Sequence, residues 1–244
     1  IPFRLDRQAA KDTLKKFYKG KLLLPRAFRS ENSIDKLQGV YVPFWLFDCN
    51  ADGTVHFNAT RVSTWRSGDY RYTKTSHFLV IRGGHMAFEK IPVDASEKMD
   101  DSYMDSLEPF DYRELTEFGT AYLSGFLADR FDVSAKDSAP RASRRVKQSL
   151  EDGLRSTVHG YASVTTRSTD IHTSDSQVKY AMLPVYILNT KYKDKPYFFA
   201  MNGQTGKFVG KLPISWGRFF AWAGGIAAAA VALGQLFLLI GGMF

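Results

Sequence analysis

The longest apolar stretch of the chain lies at its C-terminal end. Residues 219–244 carry no charged side chain, and Gln235 is their one strongly polar residue. A helix crosses a hydrocarbon core of about 30 Å with roughly 20 apolar residues. The pattern therefore predicts a transmembrane helix over residues 216–244, which anchors a body formed by residues 1–213.

At the N-terminal end the apolar positions follow a helical period. Asp6 is a suitable N-cap, and Gly20 supplies the stop. Between them, Ala10, Leu14 and Phe17 recur at helical spacing. We therefore predict an amphipathic helix between Asp6 and Gly20.

Aromatic and β-branched residues dominate the segments that follow. The run Gly39–Phe47 predicts a strand, and the polar run Asp48–Gly53 predicts a turn after it. Residues 54–62 then alternate as a half-buried strand does. Paired glycines favour turns, so a second hairpin is predicted over Tyr70–Val93 with its turn at Gly83–Gly84.

Two further helices are predicted between these strands and the anchor. The acidic segment 96–107 interleaves Met and Leu with carboxylates, which favours a short amphipathic helix. Proline is acceptable at the first helical position, so a longer helix is predicted from about Pro140 to Val158. The run GQTGK at 203–207 lacks the spacing of a phosphate-binding loop and predicts a turn between two strands.

A weak internal repeat indicates a duplicated unit. VPFWLFD at 42–48 matches LPVYILN at 183–189 in character, with Pro43 and Pro184 at equivalent places. Similarity at one fixed offset is typical of a repeated unit, here helix–strand–strand. The alternative is a chance likeness between two aromatic hairpins.

The repeat leads to a prediction of fold class and domains. We predict an α+β fold of antiparallel hairpins with packed helices, in which the helix–strand–strand unit occurs twice. Its halves are expected at about 1–93 and 134–213, with an acidic helical insert at about 94–133. One transmembrane helix, 216–244, completes the chain.

Composition narrows the class of protein. Hydrophobic residues make up 44% of the chain and aromatic residues 14%, which predicts a packed body rather than disorder. Cys49 is the single cysteine, so the chain forms no internal disulfide and offers no cysteine set for a structural zinc. The chain opens with Ile1 instead of Met, and we therefore expect further residues upstream.

The net charge of +8 is unevenly distributed, and a basic segment stands directly before the anchor. Positive residues beside a membrane helix favour the cytosolic side, and each is attracted to anionic headgroups by about 1 kcal/mol. We therefore predict a single-pass protein of the cell membrane with the bulk of the chain in the cytosol and the lipid bilayer as its partner. The predicted membrane-interface residues are Lys207, Lys211, Trp216, Arg218 and Trp222.

Two other features bear on partners. A basic N-terminal stretch predicts a solvated helix face, with anionic lipid or nucleic acid as alternative partners. Within the anchor, Gly225/Ala229 and Ala230/Gly234 leave room for close helix packing, so self-association or a protein partner through this helix is a further alternative. The basic stretch comprises Lys11, Lys15, Lys16, Lys19, Lys21, Arg26 and Arg29.

Candidate metal sites in the sequence are weak. Asp48–Gly53 begins like a calcium-binding loop, but Ala59 stands where such a loop has its bidentate Glu. His56, His77 and His85 are separated by 21 and 8 residues, which favours ordinary sheet histidines over a metal site. We therefore assign no catalytic, cofactor-binding or metal-binding residue to this chain.

The acidic run from Asp94 to Glu117 predicts the solvated face of an amphipathic helix. Three alternatives stay open for it: a divalent ion, a basic partner, or an intramolecular role facing the basic N-terminal segment.

Five segments of the chain together resemble a known family. They are VPFWLFD, TWRSGDY, VDASEKMDDSYMDSLEPFDY, SAPRA and FAMNGQTGKFVG. The chain resembles bacterial membrane-anchored proteins of largely uncharacterised function that carry an N-terminal zinc ribbon of the transcription-factor-IIB type. The resemblance implies a zinc ribbon upstream of Ile1, and hence zinc bound outside this chain, and it supplies no catalytic residue.

The leading functional hypothesis is a membrane-tethered, non-enzymatic binding or scaffold module, normally coupled to the zinc ribbon. One alternative is a nucleic-acid-associated membrane protein that acts through the ribbon and the basic N-terminal helix. Another is an enzyme whose site is assembled from His77, His85 and the acidic residues of 94–105.

Overall fold

The computed structural model describes residues 1–29, 34–193 and 195–241. Short 3-10 turns cover Arg26–Arg29, Tyr112–Glu114 and Thr120–Leu123. The helices are α1 (Arg7–Tyr18), α2 (Asp101–Ser106), α3 (Ala135–Ser156) and α4 (Trp216–Gly241). The strands are β1 (Gln38–Ser67), β2 (Tyr70–Asp94), β3 (Leu127–Ala128), β4 (Ser163–Tyr192), β5 (Lys195–Asn202) and β6 (Phe208–Gly210).

Within the described residues, the strands form one six-stranded sheet. The order is β2-β1-β4-β5-β6, and β3 pairs with β1 in parallel. The pairs β1–β2, β4–β5 and β5–β6 are antiparallel. The predicted α+β class with antiparallel hairpins and packed helices is confirmed, and a helix followed by two strands occurs twice along the chain. That the repeat arose by duplication stays a prediction.

The chain divides into two compact units, and each draws on several separate segments. The first unit comprises Ile1, Val42–Asp105 and Asp129–Leu183, and the second comprises Pro2–Tyr41, Ser106–Ala128 and Pro184–Phe244. Strands β1 and β4, with 30 residues each, contribute residues to both units.

The core of the first unit lies between α3 and the β1–β2 hairpin. Val146, Leu150 and Leu154 recur every four residues on one face of α3 and are buried with Val55 and Phe57 of β1. This spacing is the reason why α3 forms as an amphipathic helix. The helix begins earlier than predicted, at Ala135, because the Ser134 side chain caps it there. Pro140 therefore lies inside the helix and not at its first position.

Two predicted turns are wrong, and both segments lie within strands. Gly83–Gly84 is part of β2, where a Cβ on Gly84 would lie 2.9 Å from Leu154 Cδ2. The second glycine therefore serves the close approach of α3 to the sheet, not a change of chain direction. The hairpin in the structure is formed by β1 and β2, and its turn is at Gly68, whose φ is +61°.

The polar run Asp48–Gly53 is likewise part of β1 and is not a turn. It lies beside a bulge in β2, where Glu89 and Lys90 oppose the single residue Asp48. The register shifts between Phe47 and Cys49, and Asp48 Oδ1 accepts a hydrogen bond of 2.7 Å from the Lys90 N–H. The Asp48 carboxylate thus satisfies a backbone donor that the bulge leaves without a ladder partner.

The second unit has its own core around α1. Asp6 caps this helix as predicted, since its side chain accepts a bond of 2.7 Å from the Ala9 N–H. Ala10, Leu14 and Tyr18 are buried, and they pack with Leu37, which directly precedes β1, and with residues of the strands. The strand residues include Tyr186, Leu188, Phe199 and Met201. The predicted turn at 203–207 is also confirmed, between β5 and β6.

Gly53 provides a stability test of this packing. A Cβ at Gly53 would lie 2.2 Å from the Asp170 carbonyl oxygen and 2.7 Å from Ile171 Cα, so backbone must move to admit it. We expect Gly53→Ala to lower the free energy of unfolding by about 3 kcal/mol, measured by urea denaturation of the full chain in neutral detergent.

Gly83→Ala is the matched control, because Gly83 lies in the same hairpin and its nearest neighbour would be 3.5 Å from the added Cβ. We expect a change below about 1 kcal/mol there. Equal destabilisation by both substitutions would contradict the close-approach explanation.

Candidate functional site

The C-terminal helix α4 is the first candidate site. It is the one helix, in the described part of the chain, that is long and apolar enough to cross a membrane, with a span at Trp216–Gln235 of which no part is buried. Trp216 contacts Phe219 at 5.7 Å between ring centroids, and 60% of its surface is exposed. The predicted anchor is therefore present as a helix, up to Gly241, and residues 242–244 lie outside the described residues.

The start of α4 is attached to the body by a short loop of the second unit. Arg218 Nη1 donates hydrogen bonds to the carbonyl oxygens of Leu24, at 2.6 Å, and Leu22, at 3.4 Å. The Ser215 N–H donates to the Leu23 carbonyl oxygen at 2.9 Å. These bonds join α4 to the segment that directly follows α1.

The five predicted membrane-interface residues are divided between two places. Trp216, Arg218 and Trp222 lie in the first two turns of α4. Lys207 lies in the turn before β6 and donates to the Glu108 carbonyl oxygen, while Lys211 is exposed just after that strand. Their role at a membrane surface stays a prediction.

The predicted basic face is on α1 and the loop after it. Lys15, Lys16 and Lys19 are exposed and line a cavity of about 370 Å³. Lys11 is instead paired with Asp35 at 2.6 Å, and Lys21 lies over the Phe17 ring at 5.3 Å. The side chains of Arg26 and Arg29 lie outside the described residues.

The second candidate site is a polar cavity in the first unit, at the junction of β2, α2 and α3. It has a volume of about 390 Å³. We call it the Asp94 cavity, because Asp94, the last residue of β2, is its most buried carboxylate, with a side chain 1% exposed. The charged residues that line it are Asp94, Glu97, Asp101, Asp137, Arg141 and Arg144.

Arg141 of α3 organises the carboxylates at this cavity. Its Nη1 lies 2.6 Å from Asp94 Oδ1 and 2.7 Å from Asp101 Oδ1, and its Nη2 lies 2.6 Å from Asp105 Oδ1. Arg145 Nη1 also lies 3.4 Å from Asp105 Oδ1. Two guanidinium groups therefore face three carboxylates, and the group retains a net negative charge.

Two buried polar atoms at the cavity have no hydrogen-bond partner within the described residues. They are Asp94 Oδ2 and Ser138 Oγ. An unpaired polar atom in a buried place costs free energy, so each atom has the capacity to bind a further group.

Burial raises the pKa of Asp94 to about 6. Arg141 opposes this shift by its charge and hydrogen bond, whereas Asp101 and Asp105 add to it. Burial by itself would lower the pKa of Arg141, but the three carboxylates around it raise that pKa above its ordinary value. The arginine therefore stays charged, and Asp94 is the group in this pair that changes its protonation near neutral pH.

The acidic run is not the uniform solvated face that its sequence predicts. Asp94, Asp101 and Asp105 bind Arg141 within the first unit, whereas Glu114 pairs with Arg4 in the second. The second pairing agrees with the alternative of an intramolecular role toward the N-terminal segment.

Sequence reasoning missed Arg141 and Ser138. Their spacing of three residues places both on one face of α3. A polar pair next to the apolar stripe of Val146, Leu150 and Leu154 was the feature of the sequence that could have indicated a buried polar site.

The histidines of the proposed enzymatic site are not brought together. His77 pairs with Thr60 and His85 with Asp52 along the same hairpin. Eight residues of extended strand separate the two by roughly 26 Å. In residues 1–29, 34–193 and 195–241, no group of three or more His, Cys, Asp or Glu side chains is arranged to hold a metal ion.

Comparison with known proteins gives a relative that matches this chain over its whole length. The chain is 43% identical over 245 residues to a Bacillus subtilis (strain 168) protein described as "Uncharacterized protein YdjG". The match covers 100% of this chain and 72% of that relative. No protein-family model matches the chain, and no solved structure matches it.

The raised pKa of Asp94 gives a pH-dependent prediction. The folded chain holds this proton up to about pH 6, whereas the unfolded chain releases it near the ordinary value of 3.8. The folded state is therefore stabilised by proton uptake, and this contribution is lost as the pH rises from about 4 to 6. Relative to Asp94→Asn, we expect the wild-type chain to gain about 2 kcal/mol of unfolding free energy between pH 7 and pH 4.

The measurement is urea denaturation at both pH values, with Asp152→Asn as the control because Asp152 is an exposed carboxylate of α3. Identical pH dependence in the wild-type chain and Asp94→Asn would contradict the assignment.

Proposed function

The chain belongs to the family of the Bacillus subtilis protein YdjG, and on that premise we propose that it is a membrane-tethered binding module, not an enzyme, with its body on the cytosolic face of the cell membrane. The observation that carries the proposal is α4, an apolar helix whose membrane-length span is exposed throughout. Transfer of a large apolar side chain out of water gains about 1.5–3 kcal/mol. A bilayer is the environment that supplies this gain along the whole helix.

The first turns of α4 support a location in the headgroup layer. Trp216, Phe220 and Trp222 are exposed there, and aromatic residues of this kind are enriched at the boundary between membrane and water. Arg218 stands among them, and its bonds to the Leu22 and Leu24 carbonyls hold the loop after α1 beside the start of the helix. The second unit would therefore be held close to the lipid surface.

The exposed lysines support contact with anionic lipid. Lys19 lies at the end of α1, and Lys21 and the exposed Leu22 follow it in the same loop. The Leu22 carbonyl oxygen accepts a hydrogen bond from Arg218, so this loop lies at the level where α4 would leave the membrane. Cytosolic leaflets are anionic and attract such clusters, which supports the cytosolic orientation.

A second candidate function is association with nucleic acid. It is favoured by the exposed lysines Lys15, Lys16 and Lys19 on one side of α1, and its mark would be binding that weakens steeply with salt. We rank it below lipid contact, because the loop after these lysines is joined to the start of α4.

The zinc ribbon implied by the family resemblance is part of the proposal as a neighbour of this body. Cys49 is the single cysteine of the chain, and the described residues offer no group that could hold zinc. The ribbon's ligands would therefore belong to residues upstream of Ile1, and no step of the proposed binding role passes through zinc.

Charged substitutions in α4 test the anchor. An arginine at the centre of a membrane helix costs about 2.5–3.5 kcal/mol, so Ala228→Arg combined with Val231→Arg should prevent stable insertion. We expect the wild-type chain to stay in the membrane pellet after an alkaline carbonate wash and the double variant to be released.

Ala228→Leu combined with Val231→Leu is the control for this test, because it alters the same positions and keeps the helix apolar. Release of the leucine variant by carbonate, or retention of the arginine variant in the membrane pellet, would contradict the anchoring role.

Orientation is tested with a single reporter cysteine. Burial and the neighbouring Asp48 raise the pKa of the Cys49 thiol, which makes it a slow reporter, so Cys49→Ser is combined with the exposed Ser176→Cys. A membrane-impermeant maleimide should label this variant in inverted vesicles and leave it unlabelled in intact cells. Labelling of intact cells would place the body outside.

A further inference from the structure

We propose that the Asp94 cavity is a binding site for a ligand that carries an alkyl ammonium group. The inference deepens the proposed binding role by naming the chemistry of a ligand, and it does not depend on the membrane anchor. It stands on three features of the cavity: two unpaired buried oxygens, an excess of negative charge, and apolar walls.

The unpaired oxygens define what the ligand must offer. Asp94 Oδ2 accepts hydrogen bonds and does not donate them when the carboxyl is ionised, and Ser138 Oγ accepts as well as donates. An ammonium group has three N–H donors and no acceptor, so it offers the donor that each of these oxygens lacks. Binding would restore the hydrogen bonds and the counter-charge that burial removes from Asp94.

The charges around the cavity select a cation over an anion. Four carboxylates and two guanidinium groups line it, which leaves a net charge of −2. This net charge already includes Arg141, whose guanidinium is engaged with Asp94, Asp101 and Asp105. An anionic ligand would meet mostly like charge, whereas a cation would be attracted.

The remaining walls suit an alkyl chain rather than a bare ion. Val93, Met99, Val133 and Pro140 line the cavity beside the charged groups. A volume of about 390 Å³ is in the range of small-ligand pockets. Of the described residues, no carboxylate group here has the arrangement of a metal site, which favours an organic cation.

Two sources share this ligand chemistry: a free aliphatic diamine and the lysine side chain of a protein partner. The test uses the full chain in neutral detergent and measures binding by isothermal titration calorimetry. The probes are cadaverine, Nα-acetyl-lysine methylamide and, as a neutral counterpart of similar length, 1-pentanol. We expect at least one of the two amines to bind and pentanol not to bind.

Three variants decide whether the amine occupies this cavity. Asp94→Asn removes the carboxylate charge and Ser138→Ala removes the hydroxyl, and each is expected to weaken amine binding at least tenfold. Asp152→Asn is the matched control, because it removes one carboxylate from the exposed side of α3, the helix that carries Ser138. The affinity of this variant for the amines should equal that of the wild-type chain. Circular dichroism confirms that each variant is folded, and Ser138→Ala provides an independent test if Asp94→Asn fails to fold.

Each outcome of these titrations either supports or overturns the proposal. Binding of cadaverine alone supports a free diamine as the ligand, and binding of the lysine derivative alone supports a protein partner. Equal loss of affinity in Asp94→Asn and Asp152→Asn would indicate unspecific attraction and overturn the proposal. Binding of pentanol as tight as that of the amines would also overturn the proposal. Absence of amine binding by a folded chain would overturn it too, and would indicate that water alone satisfies the two oxygens. None of these results bears on whether α4 is a membrane anchor.

Discussion

The ion pair between Asp94 and Arg141 is the interaction on which the Asp94 cavity depends. The carboxylate lies at the end of β2 with a side chain that is 1% exposed, and removal of its counter-ion would leave an uncompensated buried charge. The same guanidinium reaches Asp101 and Asp105 of α2. One side chain of α3 therefore fixes the end of a strand and a short helix that has little core of its own, with Met104 as its buried residue.

This arrangement leaves a cavity rather than a closed polar cluster. Arg141 satisfies Asp94 Oδ1, but Oδ2 and the Ser138 hydroxyl lack partners in the described residues. A fold selected for stability alone has no reason to retain unpaired buried oxygens, since their desolvation is costly. Their presence beside a cavity is the reason why we propose a ligand site there.

The second unit is organised around a different constraint, the attachment of α4. Two backbone carbonyl oxygens of the loop after α1 accept hydrogen bonds from Arg218, and a third accepts one from the Ser215 N–H. The start of α4 is therefore joined to the body by hydrogen bonds as well as by the chain. Basic residues on α1 and aromatic residues on α4 are thus held near one another. The proposed lipid surface depends on this attachment, because it brings the lysines of α1 and of the loop after it to the aromatic start of α4.

The sequence by itself determined the elements whose signals are local. Asp6 and the four-residue spacing after it define α1, and the charge-free run defines α4, because capping and helical periodicity depend on neighbours within one or two turns. Tertiary structure alone decided the roles of Gly84, Asp48 and Arg141. A glycine pair has the same local signature in a turn as under a packed helix, and only the approach of Leu154 distinguishes the two. Asp94 and Arg141 are 47 residues apart, and their pairing depends on how α3 packs against the hairpin, which no local pattern records.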